Sequence, residues 1–267
     1  MNKILSIIIP TYNAAQFLDK GLSTFIMEDK EMMDKLEVLI VNDGTKDNSV
    51  EVAQKFVDRY PNTFKIINKE NGGHGSAINT GVENVTGKYF KCVDADDWVY
   101  TDALERTMKI LEKEDFDALI QSFITYDISK DLWEPRDIHC DNTDRIYNLK
   151  EIVDMWEQID YGMSFHGVTY NAQFYKSLGY KLIEGVFYED QEYATIPLSY
   201  AKRIRLLDDE LYVYRLGDVN QSVSTQSQLS RLPHFEAVLF KILEHEKNLD
   251  KLPEGGRELW TGEIGRA

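Results

Sequence analysis

The stretch KYFKCVDADDW, at residues 88–98, joins a short apolar-leaning run to three carboxylates within four positions. The run is typical of a buried strand, so Asp94, Asp96 and Asp97 are predicted to lie at its carboxyl end. Neighbouring carboxylates repel one another, and each ionised group raises the proton affinity of the others. This concentration of negative charge therefore needs a physical explanation.

Three earlier segments show the same order of an apolar strand followed by a polar loop. Their apolar runs are ILSIII at 4–9, LEVLIVND at 36–43 and FKIIN at 64–68, with helical patterns between them. Such alternation predicts an α/β fold with a mostly parallel, doubly wound sheet and helices on both faces. Ligands bind beyond the carboxyl ends of the strands in such sheets. The loops PTYN, NDGTKDN, NKENGGHG and DADDW are therefore predicted to line a nucleotide site.

The second half of the chain has a less regular pattern. It predicts a strand at 117–128, a helix at 149–159 and a strand-helix pair at 167–179, with Gly179 just after the last helical residue. RIRLLDDELYVYRLG at 203–217 predicts two short strands, and 230–248 predicts one long final helix. The last residues, ELWTGEIGRA, are consistent with truncation of a longer chain.

The composition excludes some functions. The 267 residues include 30 Lys and Arg against 46 Asp and Glu, a formal net charge of −16. Nucleic-acid binding is disfavoured, because it requires basic residues that displace counterions. The N-terminal apolar run is too short to span a bilayer and lacks a signal-peptide cleavage site, and no later window is apolar for long enough.

The two cysteines, Cys92 and Cys140, lack the spacing of metal ligands. We expect them to be thiols of a reducing compartment, although the sequence allows one disulfide. A cytoplasmic protein is predicted, and action at the inner face of the membrane stays open.

A divalent cation would relieve the repulsion among the three carboxylates. Mg²⁺ and Mn²⁺ favour oxygen ligands, and Mg²⁺ commonly combines one or two carboxylates with substrate phosphates. The Asp-x-Asp arrangement of Asp94 and Asp96 suits such an ion. Helix capping is the alternative, because Asp96 or Asp97 could cap the helix predicted to begin near Thr101.

Four short motifs occur in order at the predicted strand ends. They are IIPTYN at 8–13, VNDGT at 41–45, NGG at 71–73 with AIN at 77–79, and DADD at 94–97. Each is weak alone, but together they resemble the motifs of the family-2 glycosyltransferases, inverting enzymes with the GT-A fold. The second half resembles this family more loosely, through YEDQEYA at 188–194 and YVYRLGDVNQSVS at 212–224.

The resemblance implies a division of the chain. A GT-A domain would span 1–220, with a nucleotide-binding half at 1–100 and an acceptor-binding half at 101–220. A helical extension would follow at 221–267, and the segment QSVS at 221–224 could close over a diphosphate.

The resemblance also implies which residues bind the donor. Thr11 and Tyr12 would line the base pocket, and Asp43 would accept a hydrogen bond from a uracil ring. Asp94 would contact the ribose, and Asp96 would hold the Mg²⁺ or Mn²⁺ ion that bridges the diphosphate. The other residues assigned to the donor are Pro10, Gly73, Asn79 and Arg215.

Asp190 is the catalytic base that the resemblance implies, with Glu189 as the alternative base. Helix capping could also explain Asp190, because carboxylates are favoured at helix starts. His166 and His234 are candidates for a third metal ligand.

One position departs from the family. An arginine is common there between the residues that correspond to Ala77 and Asn79, and this chain has Ile78. Lys69 or Arg215 could supply the missing charge to the diphosphate.

The resemblance thus predicts a metal-dependent, inverting glycosyltransferase. The donor would be a UDP-sugar, and the acceptor a hydroxyl of a glycan or lipid-linked glycan in bacterial surface polysaccharide synthesis. A nucleotidyltransferase that makes nucleotide sugars is one alternative, although PTYNAAQ lacks the Gly-rich basic loop that such enzymes usually carry. A non-catalytic module that binds nucleotide sugars or glycans is another. The sequence identifies neither the donor sugar nor the oligomeric state.

Overall fold

A computed structural model describes residues 2–140, 142–218 and 229–264. The strands are β1 Leu5–Thr11, β2 Leu36–Asp43, β3 Phe64–Lys69, β4 Tyr89–Cys92, β5 Trp98–Val99, β6 Ala118–Asp127, β7 Leu132–Arg136, β8 Ile146–Tyr147, β9 Val168–Asn171 and β10 Ile204–Leu216. The α-helices are α1 Ala15–Ser23, α2 Lys30–Lys35, α3 Ser49–Arg59, α4 His74–Asn84, α5 Thr101–Lys113, α6 Leu149–Asp154, α7 Trp156–Ile159, α8 Ala172–Ser177, α9 Asp190–Thr195, α10 Leu232–Glu244 and α11 Gly256–Ile264. Short 3₁₀ helices lie at Asp160–Met163, Leu198–Tyr200 and His245–Lys251.

The described strands form one mixed sheet. Its order is β3-β2-β1-β4-β9-β6-β10-β5, with β7 paired to β6 and β8 paired to β10. Strand β1 runs parallel to β2 and β4, and β2 runs parallel to β3. Strand β9 is antiparallel to both of its neighbours, whereas β10 is parallel to β6. The predicted α/β fold is confirmed, with its parallel strands concentrated in the first half.

Helices cover both faces of the sheet, which explains the continuous apolar runs of the first strands. All seven residues of β1 are buried. Ile7 packs with Leu18 of α1 in one hydrophobic cluster, and Ile8 packs with Ile78 of α4 in another. Successive side chains of a strand point to opposite faces, so α1 and α4 lie on opposite sides of β1.

The prediction of two short strands at 203–217 is wrong. The segment forms the single strand β10, and its register with β6 shifts between Leu207 and Tyr212. The acidic residues of this irregular stretch interrupt the apolar pattern, yet they find partners on neighbouring elements. Asp209, for example, accepts a hydrogen bond from the guanidinium of Arg106 at 2.7 Å.

The long final helix is also shorter than predicted. Helix α10 ends at Glu244, a 3₁₀ helix follows, and α11 begins at Gly256. Gly255 turns the chain between them with a φ of +87°, a value that a residue with a side chain rarely adopts. The helix predicted at 149–159 is likewise divided into α6 and α7.

Three smaller expectations can be compared with the structure. Gly179 follows the last turn of α8 with a φ of +61°, as predicted. Cys92 and Cys140 are free cysteines. Within the described ranges, no helix is both long enough and apolar enough to cross a membrane.

Candidate active site

A cleft of about 880 Å³ lies at the carboxyl ends of the parallel strands. Its walls come from the loops after β1, β2 and β4, from the segment 185–190 that leads into α9, and from the end of β10. The predicted site residues that line it are Pro10, Thr11, Tyr12, Asp43, Gly73, Asp94, Asp96, Asp190 and Arg215. The structure therefore brings together residues that are far apart in the sequence.

Asn79 is the predicted donor residue that does not line the cleft. Its side-chain amide donates to the carbonyl of Leu182 at 3.0 Å, and its oxygen accepts the amide of the same residue at 2.9 Å. These bonds attach α4 to the segment that precedes α9. Asn79 therefore supports the cleft wall indirectly, by holding the segment before α9 against α4.

The carboxylate of Asp43, at the end of β2, fixes the glycine-rich loop. It accepts hydrogen bonds from the backbone amides of Gly72 at 2.9 Å and Gly73 at 2.8 Å, and from Nζ of Lys69 at 2.6 Å. Gly73 adopts a φ of +88°, which a residue with a side chain would rarely adopt. Lys69 is thereby held by Asp43, and Ile78, at the position where the family often has arginine, is buried in the core.

The loop after β1 presents a partly exposed aromatic ring to the cleft. Tyr12 keeps 46% of its surface accessible, whereas Thr11 is buried. The backbone amide of Asn13 donates to Oγ1 of Thr45 at 2.8 Å, which joins this loop to the one after β2. The two loops thus form one wall of the cleft.

Asp97 of the acidic loop is bound to strand β10. Its carboxylate accepts the hydroxyl of Tyr212 at 2.5 Å and the backbone amide of Arg215 at 2.7 Å. Burial raises the pKa of Asp97 well above its ordinary value, and the charges of Asp96 and Asp94 add to the shift. Since both of its oxygens bind the end of β10, the capping explanation fails for Asp97.

Asp94 is joined to the other side of the cleft by a histidine. Nε2 of His74 lies 2.8 Å from Oδ1 of Asp94, and Nδ1 of His74 lies 2.5 Å from Oε1 of Glu189. Burial alone would lower the pKa of His74, but the two carboxylates raise it well above its ordinary value. The charge of His74 in turn lowers the pKa of Asp94 against the opposing effect of burial.

A possible set of metal ligands lies at this loop. The ligand atoms of Asp94, Asp97 and His166 all lie within 4.8 Å of one another. Burial lowers the pKa of His166 to about 4, so its imidazole is neutral near pH 7 and able to bind a cation. Carboxylate oxygens and a neutral imidazole are chemically suited to Mn²⁺, and the carboxylates also suit Mg²⁺.

The other predicted metal residues lie in different surroundings. Oδ2 of Asp96 is 3.6 Å from Nη1 of Arg215, in the wall of the same cleft. His234 lies at the start of α10, where its Nδ1 accepts the backbone amide of Phe187 at 3.1 Å. Of the two candidate histidines, the structure therefore places His166 at the acidic loop.

Asp190 is the first residue of α9 and faces the cleft. Burial raises its pKa to about 6, and the neighbouring Glu189 adds to this shift. Glu189 occupies the N-cap position of α9, but its side chain makes no capping hydrogen bond. Its carboxylate is instead bound to His74. A carboxyl group with a pKa near the working pH is well suited to general base catalysis.

Two arginines add positive charge to the cleft wall. The guanidinium of Arg215 lies over the ring of Phe17 at 4.6 Å and pairs with Asp218 at 3.2 Å. The guanidinium of Arg231 lies 3.6 Å from the ring centre of Phe187, and its buried Nη1 has no hydrogen-bond partner among the residues that the structure describes.

Sequence reasoning missed the roles of His74 and Arg231. The only local signal for His74 is its place in the glycine-rich loop, and Arg231 has no motif around it. The predicted closing segment at 221–224 lies outside the described residues.

Comparison with known proteins identifies the family of the chain. A family model described as "Glycosyl transferase family 2" matches residues 6–179. The glycosyltransferase EpsJ of Bacillus subtilis (strain 168) is 26% identical over 223 residues, which cover 80% of this chain and 62% of EpsJ. The glycosyltransferase YibD of Escherichia coli (strain K12) is 30% identical over 228 residues, which cover 82% of this chain and 63% of YibD. The matched region thus spans less than two thirds of either relative.

Solved structures with the same architecture include proteins in complex with nucleotide sugars. Residues 1–349 of Staphylococcus aureus TarS, in complex with UDP-GlcNAc, match with a TM-score of 0.65 at 18% identity, covering 90% of this chain and 66% of that one. The mannosyltransferase PcManGT of Pyrobaculum calidifontis, in complex with GDP-Man and Mn²⁺, matches with a TM-score of 0.65 at 18% identity, covering 99% and 70%. The predicted GT-A fold is confirmed, and the nucleotidyltransferase and non-catalytic alternatives lose their support.

Proposed function

The chain belongs to glycosyl transferase family 2, and on that basis we propose that it is a metal-dependent, inverting enzyme that uses a UDP-sugar. The acceptor would be a hydroxyl of a glycan or lipid-linked glycan in bacterial surface polysaccharide synthesis. The observation that carries this proposal is the position of Asp190. This half-buried carboxyl group, with a pKa of about 6, shares one cleft with the acidic loop after β4.

Donor binding would use the loops at the strand ends. The exposed ring of Tyr12 is available to stack on the base, and Asp43, held between two loops, would accept a hydrogen bond from the uracil ring. Asp94 would contact the ribose. Because Asp43 already binds the backbone amides of Gly72 and Gly73, this end of the donor site is formed before the donor binds.

The acidic loop would hold Mg²⁺ or Mn²⁺, with Asp96 and His166 as ligands beside Asp94. A bound divalent ion would supply positive charge at the diphosphate oxygens, where negative charge grows as the sugar leaves. Arg215 and Arg231 would add protein charges at the same place. They are the arginines among the described residues that line the cleft.

Asp190 would act as the general base. It would take the proton of the acceptor hydroxyl while that oxygen attacks the anomeric carbon, and the electrons of the broken carbon-oxygen bond would remain on the diphosphate. One base opposite the leaving group gives in-line attack and inversion, whereas retention in glycosidases uses a second carboxylate as nucleophile.

A panel of UDP-sugars and GDP-sugars tests the proposal through release of the nucleoside diphosphate. We expect wild type to turn over one UDP-sugar best, and Asp190→Asn to bind that donor while losing turnover. Asp154→Asn, a change in an exposed helical ion pair with Lys150, is the control and should behave as wild type. Failure of wild type on every nucleotide sugar, or full activity of Asp190→Asn, would contradict the proposal.

A further inference from the structure

We propose that His74 is a positioning residue that holds the acidic loop and the base-bearing segment at a fixed separation. It does so by bridging Asp94 and Glu189, the residue next to Asp190. The consequence for catalysis rests on the proposed function, whereas the bridge itself does not. No motif of the sequence analysis assigned a role to His74.

The first support is the geometry of the bridge. Nε2 of His74 lies 2.8 Å from a carboxylate oxygen of Asp94, and Nδ1 lies 2.5 Å from a carboxylate oxygen of Glu189. Each ring nitrogen of His74 is thus within hydrogen-bond distance of one carboxylate, so a single side chain links the two segments. The ring of Phe165 packs against the imidazole, with centroids 5.9 Å apart.

The second support is the close approach of the two backbones on either side of His74. The amide of Gly185 donates to the carbonyl of Gly72 at 2.9 Å. A Cβ atom at Gly75 would lie 2.4 Å from the carbonyl oxygen of Ile183 and 2.9 Å from Cγ of Glu189. The glycine-rich loop and the segment before α9 therefore touch directly, and His74 makes the charged contact between them.

The third support is the burial of Glu189. Its side chain is only 2% exposed, and a buried carboxylate needs a partner to remain charged at reasonable cost. His74 is the side chain that binds it. Without His74, the carboxylate of Glu189 would lose this hydrogen bond and would have to move to find another partner, which would displace the start of α9. Asp190 is the first residue of that helix, so its position depends on the bridge.

Hydrogen exchange tests the bridge without any substrate. The variants are His74→Gln and, as a matched control, His139→Gln, which alters an exposed histidine outside the cleft. We expect amides 185–191 to exchange at least about tenfold faster in His74→Gln than in wild type, with no change in His139→Gln. Equal exchange in all three proteins would overturn the proposal. Faster exchange throughout the chain would also overturn it, because it would indicate global destabilisation.

Kinetics then tests the consequence for catalysis, using the best nucleotide sugar of the panel. We expect His74→Gln to lower kcat about 100-fold and to change the donor KM less than threefold, because misplacement of a reacting group mainly affects the chemical step. His74→Gln combined with Glu189→Gln should lose little more than either single variant, because both break one bridge.

The bridge and its consequence for catalysis are contradicted by different results. The positioning role would be contradicted if the fold-loss in kcat of the double variant equalled the product of the losses in the two single variants. An unchanged kcat in His74→Gln would also contradict it. If wild type turns over no nucleotide sugar, the proposed function fails, and the exchange measurement still decides whether His74 fixes the segment.

Discussion

Two strand ends of the same sheet carry carboxylates, and they deal with negative charge in different ways. At the end of β2, the carboxylate of Asp43 accepts hydrogen bonds from Nζ of Lys69 and from two backbone amides. Its negative charge is therefore balanced within the protein. After β4, three carboxylates lie within residues 94–97, and the positive side chains that pair with them include His74 and Arg215. Burial and mutual repulsion raise the pKa of one of these three carboxyl groups well above its ordinary value.

The difference indicates what each site is for. A fully bonded carboxylate makes a rigid wall, because every change in its position breaks several hydrogen bonds. A group of carboxylates with too few positive partners is stable only at a cost, and such groups concentrate where a ligand supplies the missing charge. We therefore expect Asp43 to matter for stability as well as for its proposed contact with the base, and the loop after β4 to matter mainly for binding and catalysis.

The largest expected effect is on the chemical step. Asp190→Asn removes the proposed base, so kcat should fall about 10²- to 10⁴-fold, the usual contribution of general base catalysis. Donor affinity should change little, since the proposed role begins when the acceptor is bound. Stopped assays of nucleoside diphosphate release measure the rate, and calorimetry measures the affinity. A retained kcat would identify another base, with Glu189 the first alternative.

Stability measurements compare the two strand ends directly. Asp43→Asn leaves Lys69 without its buried partner, so the free energy of unfolding should fall by about 3 kcal/mol. Asp96→Asn, in the absence of metal, relieves repulsion while weakening a long ion pair with Arg215, so we expect a change below about 1 kcal/mol. Urea unfolding of both variants gives these values. Similar losses of unfolding free energy in the two variants would contradict the proposed difference between the two strand ends.

The pH dependence of kcat/KM reports the charge state of the proposed base. Burial and Glu189 raise the pKa of Asp190 to about 6, and only the ionised form accepts a proton. Activity should therefore be constant above pH 7 and fall about tenfold per unit well below pH 6. An acid limb centred near pH 4, where an ordinary aspartate titrates, would disagree with this assignment.

The smallest expected effect concerns Arg231. Its guanidinium lies on Phe187 at the cleft. In the proposed donor complex its charge would face the diphosphate, so Arg231→Gln should weaken UDP binding about tenfold and uridine binding much less. Arg257→Gln is the matched control, since Arg257 is exposed, lies outside the cleft and pairs with Asp250. Equal losses for UDP and uridine would show that Arg231 does not act on the phosphates.

Local patterns were enough to predict the first half of the fold. Each of the first strands is a continuous apolar run because helices cover both faces of the sheet, and each strand end carries its own polar motif. The loops at 10–13, 43–45 and 94–97 therefore identified one cleft before any tertiary contact was known.

Tertiary contacts explain what the sequence did not predict. His74 and Glu189 are 115 positions apart, and the bond between them appears only once the two halves of the chain have folded together. Strand β10 continues through an acidic stretch because neighbouring elements supply its hydrogen bonds. Asn79 was expected at the donor from its motif, yet its amide binds the backbone of Leu182.

Calorimetry of UDP binding, with and without Mn²⁺, on wild type and Asp96→Ala, tests the central claim most directly. That claim is that the loop after β4 carries excess negative charge because a metal-bound diphosphate balances it. The account predicts that wild type binds UDP much more tightly with Mn²⁺ than without it, and that Asp96→Ala loses this difference. Equal UDP affinity in all four conditions, or no binding in any of them, would contradict it.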